Sequence, residues 1–346
     1  MTKDKVLISV IMPVYNTGKF LRTAVDSILA GATLNMELIL VDDGSTDGSS
    51  EICDKYSIAD NRVIVIHQHN GGICNARNTA LRIAKGIYIG FCDHDDVFDI
   101  KTWQACEEAI CRYNYPDMIK FGKDYVFINK SGKTYRTIHM SLPNKLYDRE
   151  EIVKNYLHLR SKNLFRFMWD GLYKKEIIEN NHISFDPYFT HGGEDHDFCN
   201  NFSRYIRNIV TIEGIFYYHY LRESFSTSSK KIVNAGLLYF KTESERLLET
   251  LNIIKFDIKE HYSLYCNQLF ETTVLPVIRY HIKARTNYNS IKSLVPELRG
   301  ISIYKYENPT LVSLLKNSPQ MGFFTYLFLC GWDNLLIFLL KIRYSI

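Results

Sequence analysis

Several things are scarce in this 346-residue chain. It has eight prolines and eighteen glycines, too few for a collagen-like or low-complexity polymer. Its eight cysteines form no CxxC pair and follow no regular spacing, which argues for reduced thiols rather than a disulfide framework. Neither sign of charge dominates: 42 Lys and Arg against 38 Asp and Glu leave +4, too little to argue for nucleic acid. No GxGxxG or GxxxxGK(S/T) phosphate loop is present, which weighs against a nicotinamide dehydrogenase or a P-loop NTPase. The opening MTKDKVLISV carries no long apolar h-region, so no secretory leader is expected and the protein is read as cytoplasmic. Aromatics are plentiful instead, with 24 Tyr and 20 Phe, and both types are common where sugars or membrane interfaces are contacted.

The first hundred residues alternate strand and helix patterns. VLISVIM, MELILV, RVIVIH and IYIGFC read as four strands covered on both faces. Between them lie a helix through Phe20, Leu21, Ala24, Val25, Ile28 and Leu29, one through Cys53, and one entered through Gly71 and Gly72 and closed by Gly86. This alternation predicts an α/β fold with a mostly parallel, doubly wound sheet flanked by helices. Ligands of such sheets bind beyond the carboxyl ends of the strands. Those ends carry Pro13 to Asn16, Asp42 and Asp43, His67 to Asn70, and Asp93 to Asp96, so polar groups converge on one edge. Residues 100–225 are mixed, and from about 232 the chain reads mainly helical. The tail, residues 320–346, is very apolar but broken by Asp333 and Asn334. That favours an interfacial helix over a spanning one, with Trp332, Tyr326 and Tyr344 near headgroups and Lys341 and Arg343 toward anionic lipid. The alternative is a helix packed on the protein or a partner.

Five stretches carry chemistry. In IGFCDHDDVF, three acids crowd a strand end: a hard divalent cation would use Asp93 and Asp95, whereas a plain acidic turn would cap the next helix, a part suited to Asp96. In VIMPVYN and LVDDGSTDGS, Tyr15 is placed to stack on a base and Asp43 to accept from a base N–H; a tight turn with a helix cap is the plainer reading. In HNGGICNARNTAL, Arg77 lies one turn into a helix aimed at the same edge, suited to phosphate or base, or else to the surface. In FTHGGEDHDF, Glu194 and Asp195 open a helix, where the dipole alone would favour them; His191 and His196 lack a third zinc ligand at a familiar spacing. In YYHYLRESFSTSS, His219, Arg222 and the hydroxyl-rich loop offer donors for a diphosphate.

Taken in this order, SVIMPVYN, ELILVDDGSTDGS, HNGGICNARNTAL, YIGFCDHDD, MWDGLYKKEIIENNHISFD and GGEDHDF resemble the inverting GT-A glycosyltransferases of bacterial family two, over about residues 6–225. The resemblance implies a GT-A catalytic domain over 1–225, with a nucleotide-binding half (1–100) and an acceptor half (101–225), followed by a helical extension over 226–346. It implies a nucleotide-sugar donor, most often a UDP-sugar, bound among Pro13, Tyr15, Asn16, Asp43, Asn70, Arg77, Asp93, Asp95, Asp96 and Arg222. Tyr15, Asp43 and Arg77 would hold the uridine. Asp93 and Asp95 would meet the ribose and a Mn²⁺ or Mg²⁺ on the diphosphate, with Asp96 helping. Asp195 would be the general base with Glu194 beside it, and Trp169, Tyr173 and Phe185 would help form the acceptor side. The expected acceptor is a glycan or lipid-linked hydroxyl in O-antigen, lipopolysaccharide or capsule synthesis, with the enzyme peripheral or monotopic at the cytoplasmic face of the inner membrane and no nucleic-acid partner. His94 departs from the commoner Ser or Ala without removing a carboxylate. A nucleotidyltransferase would need a basic glycine-rich loop that MPVYNTGKF does not supply, and a non-catalytic glycan-binding relative would be expected to lack Asp195 or the metal pair.

Overall fold

The computed structural model describes residues 6–33, 35–189, 192–223, 232–283, 285–300 and 309–344. The chain divides into two compact units, Met1–Ile152 with Asn163–Ser226, and Val153–Lys162 with Thr227–Ile346. In chain order the elements up to the long last strand are β1 (Ile8–Val14), α1 (Phe20–Ala30), β2 (Met36–Asp42), α2 (Ser49–Ala59), β3 (Val63–His67), α3 (Ile73–Ile83), β4 (Tyr88–Phe91), β5 (Val97–Phe98), α4 (Thr102–Arg112), β6 (Met118–Ile128), β7 (Thr134–Met140), β8 (Lys145–Asp148), α5 (Arg149–Lys154), α6 (Tyr156–Ser161), β9 (Gly171–Lys174), α7 (Lys175–Asn180), α8 (Glu194–Ser203) and β10 (Asn208–Arg222).

The sheet of the first unit runs β3-β2-β1-β4-β9-β6-β10-β5, with β7 on β6 and β8 on β10. β1 pairs in parallel with β2 and β4, and β2 with β3, as expected of the four apolar runs. β1 and β2 are buried throughout, because α1 seals one face with Leu21, Ala24, Val25 and Ile28 and α4 adds Trp103, Cys106 and Ile110. The mixed middle supplies antiparallel β9, a four-residue strand inserted between β4 and β6. Pro13 fits inside β1 for a specific reason. Its nitrogen faces the β4 side, and the register with β4 ends at Ile11 and Phe91, so no ladder bond is lost. The four strand ends expected to bind ligand do open on one edge.

The second unit is helical: α9 (Ile232–Ile253), α10 (Tyr262–Leu269), a π-helical turn (Phe270–Val274), α11 (Leu275–Lys283), α12 (Tyr288–Arg299), α13 (Leu311–Asn317), α14 (Pro319–Leu329) and α15 (Asp333–Tyr344). Gly331, at φ 77°, breaks the apolar tail into two short helices. Among the described residues no helix is long and apolar enough to cross a membrane. The polar interruption is satisfied inside the unit: Asp333 pairs with Arg299, and Asn334 accepts from the Tyr288 hydroxyl at 2.9 Å. Leu336, Ile337 and Leu340 face inward, while Trp332, Leu335, Phe338 and Ile342 are exposed. The tail is therefore partly packed and partly open. Lys341 lies over the Tyr288 ring and Arg343 over Phe324, 5.0 and 5.6 Å from the ring centres, so both cations start from internal partners.

Candidate active site

At the end of β1, Tyr15 is 48% exposed. Asn16, in the left-handed region at φ 47°, takes a hydrogen bond from the Thr46 amide at 2.8 Å and gives its own amide to Ser45 at 3.1 Å. The loops after β1 and β2 are tied together by these bonds. Asp42 accepts from Ser45, Ser50 and His67. Burial works to raise its pKa, but those donors outweigh it and hold the carboxyl below its usual value. Asp43 accepts from Gln68 at 2.6 Å and from the Gly71 and Gly72 amides at 2.9 and 2.8 Å, anchoring the start of α3. It is buried, so in this structure the carboxylate expected to read a base organises the loop, and Asn70 is left exposed beside it.

The three acids after β4 each meet a cation or ring from elsewhere in the chain. Asp93 Oδ1 accepts from Arg77 Nη2 at 2.9 Å. Asp95 Oδ2 accepts from Arg222 Nη1 at 3.1 Å. Asp96 Oδ2 faces His219 Nδ1 at 2.7 Å. Their mutual repulsion is thus met in part by the protein's own groups. Asp96 caps no helix: it is fully buried, and it also accepts from the Tyr217 hydroxyl and the Tyr220 amide, both at 2.8 Å. It fastens the β4 loop to β10. Arg222 also lies over the rings of Phe20 and Tyr220 at 4.2 and 4.6 Å; most of the loop that follows it falls outside the described residues, as does His191.

The donor set fits a hard cation. Asp93 and Asp95 each keep an oxygen away from their arginine, with 28% and 17% of their side chains exposed. Burial, with Asp96 and Asp93 adding to it, pushes the Asp95 carboxyl up to about 7 despite Arg222, as a crowded oxygen site short of positive charge should do. Among the described residues no group of three or more His, Cys, Asp or Glu could hold a metal. Two carboxylates are what Mg²⁺ or Mn²⁺ takes when substrate phosphate and water complete its shell.

α8 begins at Gly193, whose φ of 96° is left-handed and suits glycine. Glu194 and Asp195 part ways there. Glu194 is buried and bound to Arg77 Nη1 at 2.8 Å, and its second oxygen has no hydrogen-bond partner among the described residues. Burial raises its pKa, Asp195 adds to the rise, and Arg77 opposes it. In this structure its carboxylate holds Arg77 in place. Asp195 is half-buried. Its Oδ1 accepts only the His196 amide, at 2.9 Å, and it forms no ion pair among the described residues. It lies near enough to Arg77, Tyr125 and Tyr173 to bias their protonation. Arg77, 2% exposed, bridges the acid cluster and α8. It is therefore not the surface arginine of the plainer reading.

The aromatics expected on the acceptor side lie in the core. Tyr173 is packed edge-on against Phe91, Phe198 and Phe202. Phe185 stacks on Phe198, and Trp169 stacks between Phe167 and the pair Tyr217 and His219. All three are buried in this structure. Beneath them Lys120 and Lys123 both bind the buried Asp170. Burial brings the Lys123 ammonium down to about 8 although Asp170 opposes it. These three were missed from the sequence. The signal was there in MIKFGKDY, where two lysines interrupt an apolar strand.

Residues 9–172 match the family described as Glycosyl transferase family 2. The chain is 34% identical over 182 residues to the uncharacterized glycosyltransferase EpsJ of Bacillus subtilis, covering 52% of this chain and 51% of that one. To glycosyltransferase GlyG of Streptococcus pneumoniae it is 54% identical over 92 residues, covering 26% and 31%. It therefore spans about half or less of these relatives. Among solved structures, S. aureus TarS 1-349 in complex with UDP-GlcNAc matches with a TM-score of 0.67 at 17% identity, covering 98% of this chain and 91% of that one; this likeness shows a shared GT-A fold. Sequence motifs, fold and family match converge: residues 9–172 of the chain are similar to glycosyl transferase family 2.

Proposed function

We propose that the protein is an inverting glycosyltransferase. It moves a sugar from a nucleotide-sugar, most simply a UDP-sugar, to a hydroxyl of a glycan or lipid-linked acceptor in surface polysaccharide synthesis. One observation carries the reading: Asp195 is a half-exposed carboxylate with no ion pair among the described residues, while Glu194, Asp93, Asp95 and Asp96 are each held by Arg77, Arg222 or His219. A general base needs that freedom.

In this reading Tyr15 offers an exposed ring to the base, and the Asn16–Thr46 bond fixes the loop beneath it. The free oxygens of Asp93 and Asp95 would hold Mn²⁺ or Mg²⁺, which when bound supplies positive charge against the leaving diphosphate. Asp195 takes the proton of the acceptor hydroxyl as that oxygen attacks the anomeric carbon. The carbon–oxygen bond to the diphosphate breaks on the opposite face, its electron pair leaves with UDP, and the product is inverted. Relatives support the class of product: one from Bacillus subtilis is named for teichuronic acid biosynthesis, and two from Pasteurella multocida are named chondroitin synthase and hyaluronan synthase. The TarS structure with UDP-GlcNAc supports the donor class. The exposed face of α15 supports a peripheral place at the cytoplasmic surface of the inner membrane.

The test is Asp195→Asn with UDP-sugars as donors. UDP affinity should stay within about twofold while transfer falls roughly 10²–10⁴-fold, the usual worth of a positioned base. Unchanged turnover removes Asp195 from that role.

A further inference from the structure

We propose that Phe127, Tyr135 and Arg136 form a subsite for an anionic sugar of the acceptor glycan, beyond the unit that carries the attacking hydroxyl. The inference rests on the glycosyltransferase reading above and names the class of acceptor that reading leaves open.

An irregularity in the β6–β7 ribbon brings the three residues together. Pairing is regular from Lys123 with Met140 to Phe127 with Arg136, and then skips, so that Ile128 meets Thr134. Tyr135 is the extra residue. A bulge of this kind re-aims side chains that strict alternation would send to opposite faces. Tyr135 and Arg136 accordingly both reach Phe127. The Tyr135 ring centre stands 6.0 Å from that of Phe127, with the planes 55° apart, and the Arg136 guanidinium lies 5.5 Å from the same ring. Phe127 is half-buried, whereas Arg136 and Tyr135 are exposed, the latter by 56%.

The cluster is continuous with the candidate active site. Tyr125 and Phe127 are two positions apart on β6, so they share one face of the sheet about 7 Å from each other. On the neighbouring β10, His219 pairs with Tyr125 and Leu221 with Phe127, and the rings of Tyr125 and His219 meet at 5.6 Å. Tyr125 is also within electrostatic reach of Asp195. A glycan whose reacting hydroxyl sits at Asp195, and which runs along this face, brings its next units to Phe127.

The side chains there select a charged sugar. The apolar C–H face of a pyranose packs on an aromatic ring, and Tyr135 offers an exposed ring with a hydroxyl at its tip. A guanidinium resting on a ring keeps planar N–H donors for a carboxylate or a phosphate. From residue 125 to residue 147 the chain carries Lys130, Lys133, Arg136 and Lys145 and no Asp or Glu. Lys145 is met by Glu151, but Arg136 has no ion pair among the described residues. The charge of the ribbon calls for an anion from outside the chain, and its place along β6 makes that anion part of the acceptor.

Tyr135→Ser and Arg136→Gln test this, since both side chains are exposed and both variants should melt with wild type. Calorimetry in the presence of UDP compares three probes: hyaluronan hexasaccharide, the same hexasaccharide with its carboxyls reduced to alcohols, and a hexamer of sugars joined by phosphodiesters. Wild type should bind one of the two anionic probes about tenfold more tightly than the neutral one, and the probe it prefers tells carboxylate from phosphate. Arg136→Gln should remove that preference, lowering affinity for the anionic probe about tenfold while the neutral one stays within about twofold. Tyr135→Ser should weaken charged and neutral probes alike, by about threefold to tenfold, as loss of a ring contact should. UDP affinity should be unchanged in both variants. A wild type indifferent to probe charge overturns the inference, and so does an Arg136→Gln variant that keeps the preference or loses UDP along with it. A wild type that binds no UDP overturns the donor reading beneath it, a failure seen before any glycan is compared.

Discussion

Asp95 has the most informative chemistry at the scale of single residues. Its carboxyl sits at about 7 because it is buried beside Asp96 and Asp93. A carboxyl raised this way binds its proton more tightly folded than unfolded. Without ligand, its contribution to stability is therefore present below about pH 4 and lost as pH rises through about 7. Ligand binding runs the other way, since a cation needs the ionised form. UDP affinity in Mg²⁺ should strengthen by roughly an order of magnitude between about pH 6 and about pH 8, and Asp95→Asn should flatten that profile. A wild-type profile already flat across this range would show that Asp95 does not gate the site. Asp93, Asp95, Arg77 and Asp195 could all be picked from the sequence because each stands at a strand end or within the first two turns of a helix. Their partners could not. Arg77 meets Glu194 across 117 positions and Asp96 meets His219 across 123, and local spacing carries no record of such pairings. The burial of Trp169 and Tyr173 was hidden for a related reason: they are aromatic residues near a motif, and only tertiary packing decides whether such rings face a ligand or a core.

Elements were legible where burial is uniform. β1 to β4 are apolar runs between turns, and their order in the sheet follows from right-handed crossovers. β9 was not legible, because the four residues GLYK have too little pattern to announce an antiparallel strand between two parallel pairs. The tail gave the most divided signal, and α15 explains why. Its inward residues Leu336, Ile337 and Leu340 pack within the helical unit, while Trp332, Leu335, Phe338 and Ile342 lie exposed on or just before it, with Lys341 and Arg343 near its end. Apolar rings flanked by cations suit an anionic lipid surface. Wild type should float with phosphatidylglycerol vesicles and less with neutral ones. Combining Trp332→Ser with Phe338→Asp should cut partitioning more than tenfold, since burying one large apolar side chain is worth about 1.5–3 kcal/mol. The helical unit should still unfold at its wild-type temperature, because neither side chain is in its core. Flotation equal to wild type would exclude this face as the contact.

Across the molecule, the site is held by ion pairs that join segments far apart in the chain. Arg77 on α3 binds Asp93 after β4 and Glu194 on α8; β10 returns with His219 and Arg222 to bind Asp96 and Asp95. One guanidinium therefore serves two carboxylates, and one of these, Glu194, is buried with one oxygen unpartnered among the described residues. Removing such a cation does more than delete two hydrogen bonds, because it strands a buried negative charge. Arg77→Met should cost about 3–5 kcal/mol, the range for breaking a buried pair from one side. In a unit of this size that lowers the melting temperature by roughly 2–4 °C per kcal/mol. Most of this cost should come from Glu194, which is more buried than Asp93 and cannot recover water. Adding Glu194→Gln removes the stranded charge while keeping the shape, so Arg77→Met with Glu194→Gln should melt above Arg77→Met alone. The coupling energy from the full cycle should be at least about 1 kcal/mol. Additive losses would mean the two side chains stabilise the fold separately, and that the bridge between α8 and the acid cluster contributes no energy of its own.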